Sequence, residues 1–291
     1  MNLKERIING LYGCCVADAA GNFWEFHSNI NPDHVIRDAN NCNKLVITDD
    51  SQMTLFSFKA ISNLDTFSGD IFEKVHASFT DSYLDWYHTQ TEKYDPSIKF
   101  DSKLLNMPCM YSIQAPGNTC LDSLESLKHG QVVENDSKGA GSVMRLLPLV
   151  SFFENYSLEE VIKLAQITGN ITHKHLENDV AIALYMTTAY NIINDLPVNS
   201  KYSHVNHADE IGEGWTALEA VEMAIWVYTK SKSFDDTLRF ACAIQGDSDT
   251  VSAMSGVLVC LSGVEVPQKY IKKLDAIEAI DYAHDGFFFP D

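Results

Sequence analysis

The sequence predicts an all-α fold. Apolar residues recur at helical spacing through most of the long segments, helix-start signals stand ahead of two of them, and only one short run resembles a strand. In chain order, Leu3, Ile7, Leu11, Cys15 and Ala19 fall four apart, which aligns them on one helix face. The strand-like run is LVIT at 45–48, and no series of alternating segments with hairpin turns follows it. Ser157 to Glu160 reads as a capping box before VIKLAQI, a serine and a glutamate three apart that satisfy each other's backbone N–H. Ile182, Met186, Ala189 and Ile193 form another stripe, and Ser233 to Asp236 repeats the start signal before LRFACAI. The polar stretches near 89–103 and 129–139 read as long loops. SIQAPGNT at 112–119 and HADEIGEGW at 207–215 are punctuated by Pro and Gly and are placed along a cleft. No repeat or low-complexity tract divides the chain, so 1–291 is expected to be a single domain.

Composition narrows the function. The 291 residues hold 45% hydrophobic residues, 21 Lys+Arg and 40 Asp+Glu, a net charge of −19. That charge repels phosphate backbones, so non-specific nucleic-acid binding is excluded and any anionic ligand must be met locally. No apolar run approaches the roughly 18 residues of a membrane-spanning helix, and MNLKERIING carries charge where a signal peptide is apolar. A cytoplasmic protein is expected. The seven cysteines are scattered, with no CxxC pair, and read as reduced thiols.

The sharpest chemical signal is a pair of acidic clusters, Thr48-Asp49-Asp50-Ser51 and Asp247-Ser248-Asp249-Thr250, each just before an apolar helical segment. Either alone reads equally as a helix N-cap. If the two meet, four carboxylates share a small volume, and their repulsion demands cations. The donors are hard oxygens, which favours magnesium or manganese, and four carboxylates can neutralise two divalent ions. An EF-hand is disfavoured, because Asp247 and Asp249 run into VSAMSGVLVC.

These clusters sit among seven segments that together resemble the ADP-ribosylglycohydrolase family. They are GCCVADAAGNFWEF at 13–26, TDDSQMTL at 48–55, APGNT at 115–119, KGAGSVMRLLPL at 138–149, ITH at 171–173, GEGWTALEA at 212–220 and QGDSDTVSAMSGVLV at 245–259. The resemblance implies a compact helical domain with two magnesium or manganese ions on the floor of a cleft for ADP-ribose. By motif it implies Thr48, Asp49, Asp50, Asp247, Asp249 and Thr250 as metal ligands, and Glu25 as a catalytic residue beside the metals and the scissile ribose bond, or else a gate that responds to metal binding. It also implies Gly139, Ala140, Gly141 and Ser142 as a diphosphate cradle at a helix start, and a cleft role for His173. Asn118 in APGNT is a candidate substrate contact, against a plain Pro-Gly turn.

The implied chemistry is hydrolysis of the bond between ribose C1 and a side chain, with Asp249 as the base and Asp247 the alternative. The WEF triplet resembles the arginine-directed branch, so the expected partner is an ADP-ribosylated protein or ADP-ribose. A role against an ADP-ribosyltransferase toxin also fits. The competing readings are another metallohydrolase, such as a phosphoesterase acting on ADP-ribose or a nucleotide, and a non-catalytic protein that binds ADP-ribose or blocks a toxin. Ser51 and Gln245 depart from the family's usual Thr and Gly without removing a ligand oxygen. Trp24 is expected to shape the site entrance and Trp215 to lie in the core, against a role as an adenine platform. Glu213 is expected to cap the helix after GEGW, and Arg145 to pair with a carboxylate or reach phosphate.

Overall fold

The computed structural model describes residues 1–287. Among these the regular structure is helical: α1 (Leu3–Asn22), α2 (Pro32–Asn41), α3 (Asp49–Ser62), α4 (Ile71–Thr91), α5 (Asn118–Lys128), α6 (Leu158–Gly169), α7 (Leu176–Ile193), α8 (Ala217–Lys230), α9 (Phe234–Ala241), α10 (Ser248–Leu261), α11 (Gln268–Ile271) and α12 (Ile277–Asp285), with short 3-10 turns between them. The LVIT run forms no strand. Leu45 makes one isolated bridge, donating its N–H to Lys273 O at 2.8 Å and accepting from Asp275 N at 3.0 Å.

The predicted starts appear with one difference. Ser157 and Glu160 form the full capping box of α6. Ser233 caps α9 by accepting from Asp236 N at 3.1 Å, but the shorter Asp236 side chain turns to Lys232 N instead of closing the box. The loop predicted near 89–103 begins later, because α4, capped by Asp70 and Glu73, runs on to Thr91.

The pairing that builds the site is α1 against α10. The two run antiparallel: Asn9 near the start of α1 donates to Cys260 O and Val264 O, while Ser248 at the start of α10 donates to Gly21 O at 2.9 Å. Their backbones approach so closely that only glycine fits. A Cβ on Gly256 would lie 2.3 Å from Gly13 O, and one on Gly21 would lie 2.5 Å from Ser248 O and 2.7 Å from Asp249 Cα. Gly21 therefore fixes the end of α1 directly on the start of α10. The start of α3 lies beside them, so three chain segments remote in sequence converge. One apolar core, from Ile7 through Trp86 and Trp226 to Phe287, supports them. All seven cysteines are free, five of them buried. Among the described residues no helix is long and apolar enough to cross a membrane.

Candidate active site

Both acidic clusters begin helices, as their sequence suggests. Thr48 is the N-cap of α3, and Asp49 and Asp50 are its first two residues. Asp247 is the N-cap of α10, with Asp249 in its first turn. The positive ends of two helix dipoles thus face the same acidic volume. The clusters meet at Asp50, whose Oδ2 accepts from Thr250 Oγ1 at 3.3 Å and lies 3.3 Å from Thr48 Oγ1. Thr250 also donates its N–H to Asp249 Oδ1 at 3.0 Å. Asp49 Oδ2 accepts the N–H of Gly117 at 3.3 Å, which holds the APGNT loop against the cluster. Asn118 is exposed at the first position of α5.

A sixth carboxyl, which sequence reasoning missed, ties these segments together. Asp18, on α1 and fully buried, accepts from Thr48 N at 3.0 Å, Thr48 Oγ1 at 2.7 Å, Ser51 N at 3.2 Å and Ser51 Oγ. The signal was present: Asp18 lies three residues past Cys15 and seven past Leu11, a charge on the apolar face of its helix.

The electrostatics follow from burial and like charge. Burial, then the charge of Asp249, lifts Asp18 to about 7, Asp49 to about 8 and half-buried Glu25 to about 8, and raises Asp50 and Asp247 well above the carboxylate range. Asp249 is itself raised by burial, against hydrogen bonds with Asp247, its own and the Thr250 backbone N–H, and Thr48. For each of the other five, Asp249 is the neighbouring charge felt most strongly, so it stands at the electrostatic centre. No ion pair to Lys or Arg relieves any of the six among the described residues.

The donor set fits a hard divalent cation. Asp50 Oδ1 is buried with no hydrogen-bond partner, an uncompensated acceptor in the middle of the cluster. The side chains are not drawn into a closed cage: among the described residues no group of three or more His, Cys, Asp or Glu stands at ligating geometry.

The glycine-rich segment differs from its expectation. It forms a single 3-10 turn, Ala140–Ser142, instead of the start of an α-helix. Ser142 is buried with its Oγ directed to Gly139 O at 3.4 Å, and Gly139 N–H is directed to Ser137 Oγ at 3.3 Å. The buried hydroxyl and that N–H are therefore engaged within the turn. His173 is buried beneath it: a Cβ on Gly141 would lie 3.0 Å from the imidazole Cε1, and one on Gly139 would lie 3.2 Å from Nε2. Thr172 Oγ1 accepts from Arg145 Nη2 at 2.7 Å and lies 2.9 Å from His173 Nδ1. Burial and the Arg145 charge push His173 down to about 3, so the ring is neutral.

Arg145 reaches neither a carboxylate nor the surface. It is fully buried over the Tyr83 ring at 4.2 Å, bound to Thr172 Oγ1 and Thr168 O. His175 caps α7 by accepting from Glu177 N at 3.0 Å. Glu213 caps nothing: Thr216 is the N-cap of α8, and Glu213 Oε2 accepts from Trp215 Nε1 at 3.2 Å. Trp215 is 43% exposed and does not belong to the core. Trp24 lines an apolar cavity of about 510 Å³ with Phe23, Val35, Ala39 and Leu45, and none of the six carboxyls forms part of its wall.

An uncharacterized protein of Archaeoglobus fulgidus is 23% identical over 172 residues, covering 50% of this chain and 56% of that protein, so the match spans little more than half of the relative's length. A solved structure described as an ADP-ribosylglycohydrolase-related protein complex superposes over 97% of this chain and 96% of its own, with a TM-score of 0.64 at 19% identity, a likeness of fold. The family model for ADP-ribosylglycohydrolase matches residues 1–287. The chain belongs to the ADP-ribosylglycohydrolase family.

Proposed function

We propose that this chain hydrolyses the glycosidic bond between ADP-ribose and a protein side chain, with arginine as the acceptor, and so reverses ADP-ribosylation. The observation that carries the reading is the set of six carboxyls centred on Asp249, drawn from α1, the loop after it, and the starts of α3 and α10, in a chain of this family. Thr48, Asp49, Asp50, Asp247, Asp249 and Thr250 would hold two divalent cations, magnesium or manganese, whose chemistry there is to neutralise the carboxylates and acidify a water.

The bond breaks as positive charge develops on the ribose ring, and a wall of carboxylates stabilises that charge. Glu25, half-buried beside the cluster, donates a proton to the departing guanidine nitrogen. Asp249, at the centre of the cluster, takes the proton of the attacking water, and its hydrogen bond with Asp247 steadies it. The turn at Ala140–Ser142, backed by neutral His173, takes the diphosphate with backbone N–H groups, and exposed Asn118 stands at the cleft edge. A cytoplasmic chain with this activity would counter an ADP-ribosylating toxin that modifies the same acceptor.

Mass spectrometry of an arginine-ADP-ribosylated protein incubated with the chain, with and without magnesium, tests the reading. Metal-dependent loss of the modification with release of intact ADP-ribose is expected. Release of AMP would favour a phosphoesterase, and no product from arginine- or serine-linked substrate would contradict hydrolysis.

A further inference from the structure

One pair of exposed aromatic rings stands at the edge of the acidic cluster and plays no part in the core. Phe26, directly after Glu25, is 74% exposed and has φ +63, a left-handed conformation that costs a non-glycine residue about 1 kcal/mol. Its ring stacks on that of Trp215, 189 positions further along, with centroids 6.1 Å apart and planes inclined by 23°. Burial does not explain the pair, since both rings face solvent.

The Trp215 loop is tied at both ends. Glu213 O accepts the N–H of Asp247 at 2.9 Å, and Lys138 O accepts the N–H of Ala217 at 2.7 Å, which joins the loop to the acidic cluster and to the glycine-rich turn. The Glu213 carboxylate, exposed and bonded to the indole N–H, places negative charge beside the rings. Among the described residues no Lys or Arg pairs with it.

We propose that Phe26, Trp215 and Glu213 form an acceptor subsite that takes the planar guanidinium of the modified arginine. The inference rests on the glycohydrolase reading above. Aromatic faces beside a carboxylate suit a planar cation, through the ring quadrupole and a counter-charge. The same carboxylate repels a diphosphate. Position selects the occupant as well: the acceptor is bonded directly to ribose C1, which must lie at Glu25, one residue from Phe26. The adenine is a diphosphate and a second ribose away.

The test compares Trp215→Ala and Trp215→Phe with the parent chain in magnesium, on one peptide carrying ADP-ribose on arginine and another carrying it on serine. Alongside, ADP-ribose affinity is measured by calorimetry. Trp215→Ala is expected to lower the arginine-to-serine ratio of kcat/KM about tenfold, with the ratio restored by Trp215→Phe and the ADP-ribose Kd unmoved. An unchanged ratio in an active chain overturns the subsite. A weakened ADP-ribose Kd with equal losses on both peptides also overturns it, and assigns the rings to adenine. A parent chain that binds ADP-ribose but cleaves neither peptide contradicts the hydrolase reading, and the subsite falls with it.

Discussion

Replacing Asp249 by alanine is expected to lower kcat by about 10³-fold or more while leaving the cation-free chain at least as stable as the parent. The rate effect follows from its place as base and ligand, since losing a general base alone costs about 10²–10⁴-fold. The stability effect has the opposite sign because Asp249 is the charge that most strongly raises Asp18, Glu25, Asp49, Asp50 and Asp247. Removing it relieves five neighbours at once, four of them buried, the trade between function and stability that strained sites display. Single-turnover kinetics and thermal melts in EDTA read the two effects separately. A near-parent rate would remove Asp249 from the chemistry, and a large fall in Tm would show that it serves as an ordinary helix cap.

The second large effect is a pH-dependent stability that cations reverse. In the cation-free chain Asp18 is raised to about 7 and Asp49 to about 8, far above the unfolded value of 3.8. A raised carboxyl contributes stability that is complete below its unfolded value and is lost as pH climbs through the folded one, because the folded state then binds the extra proton. His173 works the other way: its depressed pKa of about 3 means that stability is lost only as pH falls below the unfolded 6.5. The window from pH 6.5 to 8 therefore isolates the carboxyls. Across it each raised group contributes about 1.4 kcal/mol per pH unit while it remains protonated in the fold. A fall in Tm of about 10 °C in EDTA is expected. Excess magnesium or manganese should abolish the slope, since cations bind the ionised form of the folded chain. A Tm in EDTA that is flat over this range would show that the six carboxyls do not share a dry volume.

The helical fold was legible in the sequence because its determinants are local. The stripe from Leu3 to Ala19 and the Ser157–Glu160 box each act within a few residues, and α1 and α6 form where they stand. The two acidic clusters were legible as helix starts for the same reason. That they meet at Asp50 depends on Gly13, Gly21 and Gly256 letting α1 and α10 pack backbone to backbone, a contact between segments more than 200 residues apart. Asp18 was passed over because it stands outside both motifs, although its place on an apolar helix face marks it. Trp215 was misplaced because large aromatics are usually buried, whereas this one is held at the surface by Glu213. Arg145 was expected to pair with a carboxylate or reach phosphate. Its guanidinium instead bonds Thr172 and the Thr168 carbonyl over the Tyr83 ring, a combination no spacing announces.

The central claim is that carboxylates from the starts of α3 and α10 form one cation site. Anomalous diffraction from crystals grown with manganese tests it most directly. The account predicts two peaks among Asp49, Asp50, Asp247 and Asp249, with Asp50 Oδ1 now ligating. Crystals grown in excess manganese that show no peak within this cluster, or manganese bound only elsewhere on the chain, would contradict it.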